Sequence, residues 1–422
     1  MSNQYDCNIN FNIQIDDKSD LYQAVRAFSI EQAKKHFKRK DAVKRMTLTL
    51  EKIVSNLLRG SPSNHIAMRK EKVDKETRYQ GNIYKHKYRK LSLDILDELD
   101  FIAQQKGSRY SQKQTIVYPS HKLFSYFSDY GLASYYIKQD ELIVLRDTIT
   151  NKKIKKNIEY EETNETTTLR KEVVEINNYL RTLNITYTGS STSTLSQEYD
   201  TPYIPLVGPL YRDTTRNQVY RVFSHGSFEL GGRMYGAFWI NLKKKLRQGM
   251  TINGGSCSEV DFNSMHIAQL YAKEGFSHSD DYDAYDIPEL QAMKISRTAI
   301  KKQVQRMINS TKVTKSFIHC SDETIRREFK GIDYDAGVKP ILNKHKFIDK
   351  YFHSGIGLRL AYDESRIMID VIKKCIELDI PTLPLHDALI TQSKHAKKVQ
   401  ELMQERFFEF YGAQITAGIK HL

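Results

Sequence analysis

The 422-residue chain has no hydrophobic stretch that approaches a bilayer span, and its start, MSNQYDCNINFNIQIDD, has neither the basic flank nor the apolar run of a signal peptide. A soluble, intracellular protein with no membrane partner is therefore expected. Cysteine is scarce: Cys7, Cys257, Cys320 and Cys375 are far apart and form no CxxC pair. That spacing speaks against a disulfide framework or a zinc knuckle and for reduced, buried thiols. No internal repeat of solenoid period is visible, which excludes a stacked-repeat architecture.

What is present is a hydrophobic fraction of 40% with 11% aromatic residues, enough for a packed interior. The length exceeds a usual single core and fits two units. Sixty-five Lys plus Arg against 51 Asp plus Glu leave a formal charge of +14. Such a balance favours polyanionic partners such as nucleic acid or an anionic membrane surface.

Apolar residues at helical spacing run through 21–58 (Leu21, Val25, Phe28, Leu48, Leu50, Ile53, Leu57) up to the breaker Gly60-Ser61-Pro62. The spacing predicts a further helix from Leu91 to Gln105, stopped by Gly107, then a β-like segment Gln112 to Pro119 and a short helix from Lys122 to Asp129. These elements suit a winged helix, with a generic helical bundle as the alternative. Lys85, Lys87, Arg89, Lys90, Arg109 and Lys113 surround the late helix and hairpin, where they could grip phosphates or simply form a solvated face. A basic hairpin is expected over Asp140 to Tyr160 and a helix over Leu169 to Leu183. Residues 186–201, TYTGSSTSTLSQEYDT, are polar and read as a linker or surface loop. The expected organisation is thus 1–185 as a mainly helical nucleic-acid-binding region, 186–201 as linker, and 202–422 as a second domain.

The second half carries the chemistry. Met250 to Ile252, the turn Asn253-Gly254-Gly255, and Ser256 to Phe262 read as strand, turn, strand, which delivers Asp261 at the end of an apolar run. Helical spacing resumes from Asn263, so Asp261 is either a metal-binding carboxylate at a strand exit or a helix N-cap. Far downstream, an amphipathic helix from Ser365 to Leu378 precedes Ile380 to Ile390, a strand-like stretch interrupted by His386-Asp387. A buried aspartate needs a partner, supplied by a shared metal with Asp261 or by a hydrogen bond to His386. Between them, Arg297, Lys301 and Gln305 recur every fourth residue on one helical face, a triphosphate holder or a solvated face. The pair Gly231-Gly232 beside Arg233 reads either as a simple turn or as a place where backbone could approach a large ligand while the guanidinium takes a phosphate.

Taken in order, these residues resemble family A DNA polymerases and the related bacteriophage-type and mitochondrial single-subunit RNA polymerases. Asp261-Phe262-Asn263-Ser264-Met265-His266 looks like motif A, Arg297-Thr298-Ala299-Ile300-Lys301 like the RxxxK of motif B, and Leu385-His386-Asp387 like the HD of motif C. Glu229 to Tyr235 is similar to the Asp-x-x-Gly-Arg-x-Tyr segment ahead of motif A in the RNA enzymes. The resemblance covers roughly residues 220 to 400. It implies an α+β right-hand polymerase with a palm and short fingers behind the mainly helical N-terminal region.

The resemblance further implies template-directed nucleotidyl transfer with two Mg²⁺ ions, or Mn²⁺, held by Asp261, Asp387 and the Phe262 carbonyl. Arg297 and Lys301 would grip the β and γ phosphates, with Lys301 also a proton donor to pyrophosphate. Gln305, His266 and Asn309 would line the nucleotide, and Arg233 and His386 the nucleic acid. The partners implied are nucleoside triphosphates and a DNA primer-template or single strand. His266 stands where the DNA enzymes have a glutamate, and Asn309-Ser310 where both groups have tyrosine-glycine, which leaves sugar selection open. No carboxylate-rich exonuclease segment precedes the palm motifs, so proofreading is not expected. The alternatives are an RNA-synthesising primase or small transcriptase, and a non-catalytic DNA-binding replication initiator.

Overall fold

The computed structural model describes residues 7–8, 11, 13–15, 17–59, 64–66, 68, 84–107, 114–131, 135–137, 141–149, 154–187, 217–242, 244–277, 282–313, 315–318 and 320–422. The fold is mixed α and β. Contacts divide the chain into one unit of Met1–Leu142, Tyr187–Val219 and Gly236–Asn241, and a second of Ile143–Thr186, Tyr220–Tyr235 and Leu242–Leu422. No helix among the described residues is long and apolar enough to cross a membrane.

The first unit runs through strands β1 (Cys7–Asn8) and β2 (Ile13–Ile15), helices α1 (Asp20–His36) and α2 (Lys40–Leu58), β3 (Asn64–Ile66), α3 (His86–Glu98), the hairpin β4 (Ile102–Gln105) and β5 (Thr115–Pro119), α4 (His121–Phe127) and β6 (Tyr135–Ile137). Ser19 opens α1 by accepting from the Tyr22 amide. Its apolar stripe, Leu21, Val25 and Phe28, packs with Leu50, Ile53, Leu57, Leu93 and Leu96 into one core. One sheet has the order β1-β3-β5-β4. The helix expected to reach Gln105 ends at Glu98: Asp100 turns left-handed at φ 57°, and the Phe101 amide closes onto the Leu96 carbonyl. The residues beyond it pair as β4 instead, since Ile102 and Ala103 suit a half-buried strand as well as a helix end.

The second unit contains β7 (Ile143–Ile149), β8 (Ile154–Asn157), α5 (Asn164–Thr182), β9 (Ile185–Tyr187), β10 (Tyr220–Ser224), β11 (Ser227–Tyr235), β12 (Met250–Ile252), β13 (Gly255–Phe262) and α6 (Met265–Lys273). Helices α7 (Pro288–Ala292), α8 (Arg297–Asn309), α9 (Glu323–Glu328) and α10 (Tyr334–Lys344) follow, then α11 (Gly357–Glu377), the hairpin β14 (Thr382–Leu385) and β15 (Ala388–Gln392), α12 (Ala396–Tyr411) and β16 (Ala417–His421). A sheet of order β11-β10-β7-β8 accompanies the sheet β14-β15-β13-β12-β9, with β16 also paired to β13. Behind the strands, α6, α8 and α11 share a core through Ile267, Leu270, Ile300, Val304 and Leu360.

The division at residue 142 differs from the boundary expected at 186–201. The cause is a long-range parallel pairing: Ile143, Val144 and Leu145 of β7 lie opposite Arg221, Val222 and Phe223 of β10. The buried ion pair Glu172–Arg221 ties α5 to that sheet as well. Of the expected linker, Thr186 and Tyr187 belong to β9 and the rest lies outside the described residues.

Candidate active site

β13 is the central strand on which the site is built. The turn Asn253-Gly254 has both residues at positive φ, 48° and 75°, and returns the chain so that Thr251 pairs with Ser256. Along β13, Asp261 lies opposite Ala388 of β15 on one side and Gly418 of β16 on the other. The β14–β15 hairpin closes over His386-Asp387, with Leu385 opposite Ala388 and His386 at φ 58°. Asp387 is therefore the residue next to the cross-strand neighbour of Asp261, and its carbonyl accepts from the Phe262 amide at 3.4 Å.

The two carboxyl groups sit in different surroundings. Burial pushes Asp387 up to about 6, reinforced by the negative charge of Glu364 and Asp261 and opposed by Arg233. The Asp261 side chain is about a third exposed and accepts from the Lys420 ammonium at 2.8 Å. Asp261 is not a helix cap: the N-cap position of α6 is Ser264, left-handed at φ 53° and without a side-chain capping bond. No hydrogen bond joins the His386 and Asp387 side chains among the described residues; the His386 ring packs on Tyr235 at 5.4 Å between centroids, and its Nδ1 is buried without a partner.

Arg233 reaches this place through a bulge. Gly231 and Gly232 take φ of 85° and 78°, and the register of β11 against β10 slips so that Val222 faces Arg233 while Phe223 faces Gly231. A Cβ on Gly232 would stand 2.9 Å from both the Phe223 ring and Ser365 Oγ, so close approach as well as φ requires glycine. Arg221, with no exposed surface, donates to the Gly232 carbonyl at 2.9 Å, to Glu172 at 3.1 Å and to Ser365 at 3.1 Å, which holds the bulge in place. Arg233 then clasps Glu364 of α11, Nε to Oε1 at 2.7 Å, with its second nitrogen on Oε2.

His266, itself buried, completes a triad with them. Its Nε2 lies 3.2 Å from Arg233 Nη2 and 3.4 Å from Glu364 Oε2, and its Nδ1 is buried without a partner. Burial would raise Glu364, but the His266 hydrogen bond and the Arg233 charge outweigh it and hold this carboxyl below its ordinary range.

Two cations of α8, Arg297 and Lys301, lie near the ring of one tyrosine, Tyr285. Ser296 caps the helix by accepting from the Ala299 amide. Arg297 is bound bidentately by Asp283, at 2.6 and 2.9 Å, and lies 5.2 Å from the Tyr285 ring; Lys301 lies 5.8 Å from the same ring and forms no ion pair with a described residue. The Tyr285 phenol is buried, which pushes it up against the opposing influence of Gln305, Ser264 and Arg297 beside it. Ser264 follows the Asp261 strand and Gln305 belongs to α8, while the buried Tyr285 hydroxyl makes no hydrogen bond among the described residues. The exposed Asn309 amide donates to the Gln305 carbonyl at 2.7 Å and packs over Gly357.

Asp261, Phe262, Asp387, His386, His266 and Arg233 thus gather around the ends of β11, β13 and the β14–β15 hairpin. Arg297, Lys301, Gln305 and Asn309 line α8. In the first unit, Lys87 and Lys90 of α3 are exposed, whereas Arg89 is buried, its Nε on the Tyr84 carbonyl and its guanidinium 4.1 Å from the Phe11 ring. Arg89 is thereby removed from the expected phosphate-facing set, and Arg109 and Lys113 lie outside the described residues.

Glu364, Lys420 and Tyr285 were not anticipated from sequence. Glu364 had a signal: it falls on the apolar face of α11 between Leu360 and Ile367, where an isolated carboxylate demands a partner. Lys420 and Tyr285 had none beyond their identity.

Among the described residues, no group of three or more His, Cys, Asp or Glu side chains is arranged to hold a metal by itself. No family model matches the chain, and no curated protein matches it. Among solved structures, the chain is similar to the POL domain of Pol1 from M. smegmatis in complex with DNA primer-template and dNTP, at 10% sequence identity and a TM-score of 0.33, over 96% of this chain and 69% of that one.

Proposed function

We propose that the chain is a template-directed nucleotidyltransferase of DNA polymerase type, acting on a primer-template or single strand and nucleoside triphosphates. The observation that carries this reading is the meeting of Asp261, opposite Ala388, with the adjoining Asp387, close enough for the Asp261 charge to bear on Asp387. The donor set fits a hard divalent cation. Mg²⁺ is characteristically held by one or two carboxylates with substrate phosphates and water as the other ligands, so two aspartates and the Phe262 carbonyl suffice. The site is also short of positive charge: an ammonium stands on Asp261, and burial together with the charges of Glu364 and Asp261 raises Asp387 despite Arg233.

Two ions bound there would activate a primer 3′-hydroxyl and neutralise the triphosphate. Asp261 and Asp387 hold the position. Lys301 draws in the β and γ phosphates and hands a proton to the departing pyrophosphate. Arg297 joins it by leaving Asp283, an ion pair exposed enough to be worth only about 1 kcal/mol or less. Arg233 and His386 face nucleic acid, and His266, Gln305 and Asn309 the incoming nucleotide.

The first unit serves as the nucleic-acid-binding part, read as a winged helix. The order α1, α2, β3, α3, β4, β5, with β3 and β4 both antiparallel to β5, supports this, with Lys87 and Lys90 on the exposed side of α3. Extension assays on DNA and RNA primer-templates with dNTPs or NTPs test the function. Incorporation of dNTPs is expected; incorporation of NTPs alone reassigns the chain to RNA synthesis, and binding without incorporation to a replication initiator.

A further inference from the structure

Four carboxylates gather around the site, Glu259, Asp261, Glu364 and Asp387, and three cations answer them. Arg247 is committed to Glu259 at 2.8 Å and to the Leu242 carbonyl at 2.8 Å, with its side chain only 10% exposed. Arg233 is committed to Glu364 by two bonds. Lys420 differs from both: it makes one short contact, 2.8 Å to Asp261, and its side chain is 41% exposed. Its nearest other carboxylate, Glu259 at 4.0 Å, is already satisfied by Arg247.

The register of β16 explains the reach. Lys420 lies opposite Glu259, and Gly418 opposite Asp261, so no side chain on β16 covers the aspartate directly. Residues two apart share a face of a sheet, which lets Lys420 extend diagonally onto Asp261 from the solvent side. Resting on the reading of Asp261 and Asp387 as metal ligands, we propose that Lys420 is the displaceable counter-ion of this site. Its ammonium neutralises Asp261 in the metal-free chain and withdraws into solvent when a divalent cation binds. An ammonium and a divalent ion on one carboxylate repel at short range, so the two states exclude each other. Of the three cations, Lys420 alone combines a single bond with a solvent-facing stem, which makes it the one able to leave.

The test is Mn²⁺ binding to the full chain, read from the electron paramagnetic resonance signal of free Mn²⁺, for wild type, Lys420→Met, Lys420→Arg and Asp261→Asn. Methionine keeps much of the stem without the charge, and its Kd for Mn²⁺ should fall about fivefold, as expected from releasing a partly exposed ion pair. Arginine keeps the charge and should leave the Kd near the wild-type value. An unchanged or raised Kd in Lys420→Met overturns the inference, as does equal tightening in Lys420→Arg. The underlying site has its own control: Asp261→Asn should weaken Mn²⁺ binding, and a wild-type Kd in that variant overturns the metal-site reading itself. Absence of Mn²⁺ binding in both wild type and Lys420→Met overturns both.

Discussion

Arg233 and Glu364 form a bidentate ion pair in which the carboxylate has no exposed surface, joining β11 to the helix α11 that leads into the β14–β15 hairpin. Removing one partner of such a pair leaves the other as an uncompensated buried charge. Arg233→Ala, which leaves the fully buried Glu364 carboxylate without its cation, is therefore expected to cost roughly 3–5 kcal/mol of stability of the second unit. Urea denaturation followed by tyrosine fluorescence and circular dichroism measures it. A loss below about 1 kcal/mol would mean that Glu364 finds another partner, or a proton, at little cost.

The same pair sets an acid limb. Glu364 is held below its ordinary range in the folded chain, so its contribution is fully present above the unfolded value of about 4.3. It is lost as pH falls through the folded value. Wild type should therefore lose stability more steeply than Glu364→Gln below about pH 4.3, as measured by denaturant midpoints at successive pH values. Parallel curves would show that the carboxylate is not depressed.

His266 is the residue on which sugar selection is expected to turn. Its imidazole is bulky enough to crowd a 2′-hydroxyl, and Glu364 and Arg233 hold the ring in place. Replacing His266 by Ala should raise ribonucleotide use relative to deoxynucleotide use by about tenfold in the ratio of kcat/KM, since specificity lies in differential transition-state binding. An unchanged ratio removes His266 from the sugar site.

The formal charge of +14 predicts that affinity for primer-template or single strands falls steeply with salt, because Lys and Arg displace condensed counterions. A fluorescence-anisotropy titration series from about 50 to 200 mM salt should lose on the order of a hundredfold or more in Kd. Tight binding that ignores ionic strength contradicts a phosphate-tracking surface.

Local periodicity made much of the site readable. The turn Asn253-Gly254 and the alternating run up to Asp261 specify a hairpin, and the amphipathic α11 before the apolar His386-Asp387 stretch specifies a helix and a second hairpin. Pairings between distant segments were not readable, because nothing in residues 143–145 names residues 221–223 as their neighbours. The contact division at residue 142 follows from that pairing. Glu364 and Lys420 escaped notice similarly: each acquires its role from a partner more than a hundred residues away, Arg233 and Asp261. Arg89 shows the converse, a cation in a basic run that an aromatic ring and a carbonyl withdraw from the surface.

In the proposed mechanism Asp261 and Asp387 act together on one phosphoryl transfer. The most direct measurement is primer extension by wild type, Asp261→Asn, Asp387→Asn and the double variant, with far-UV circular dichroism and primer-template affinity measured on each. The account predicts a loss of about a thousandfold or more in kcat for either single variant, retained folding and DNA affinity, and little further loss in the double variant, because residues that act as a unit are non-additive. Extension within about tenfold of wild type by either single variant would contradict it.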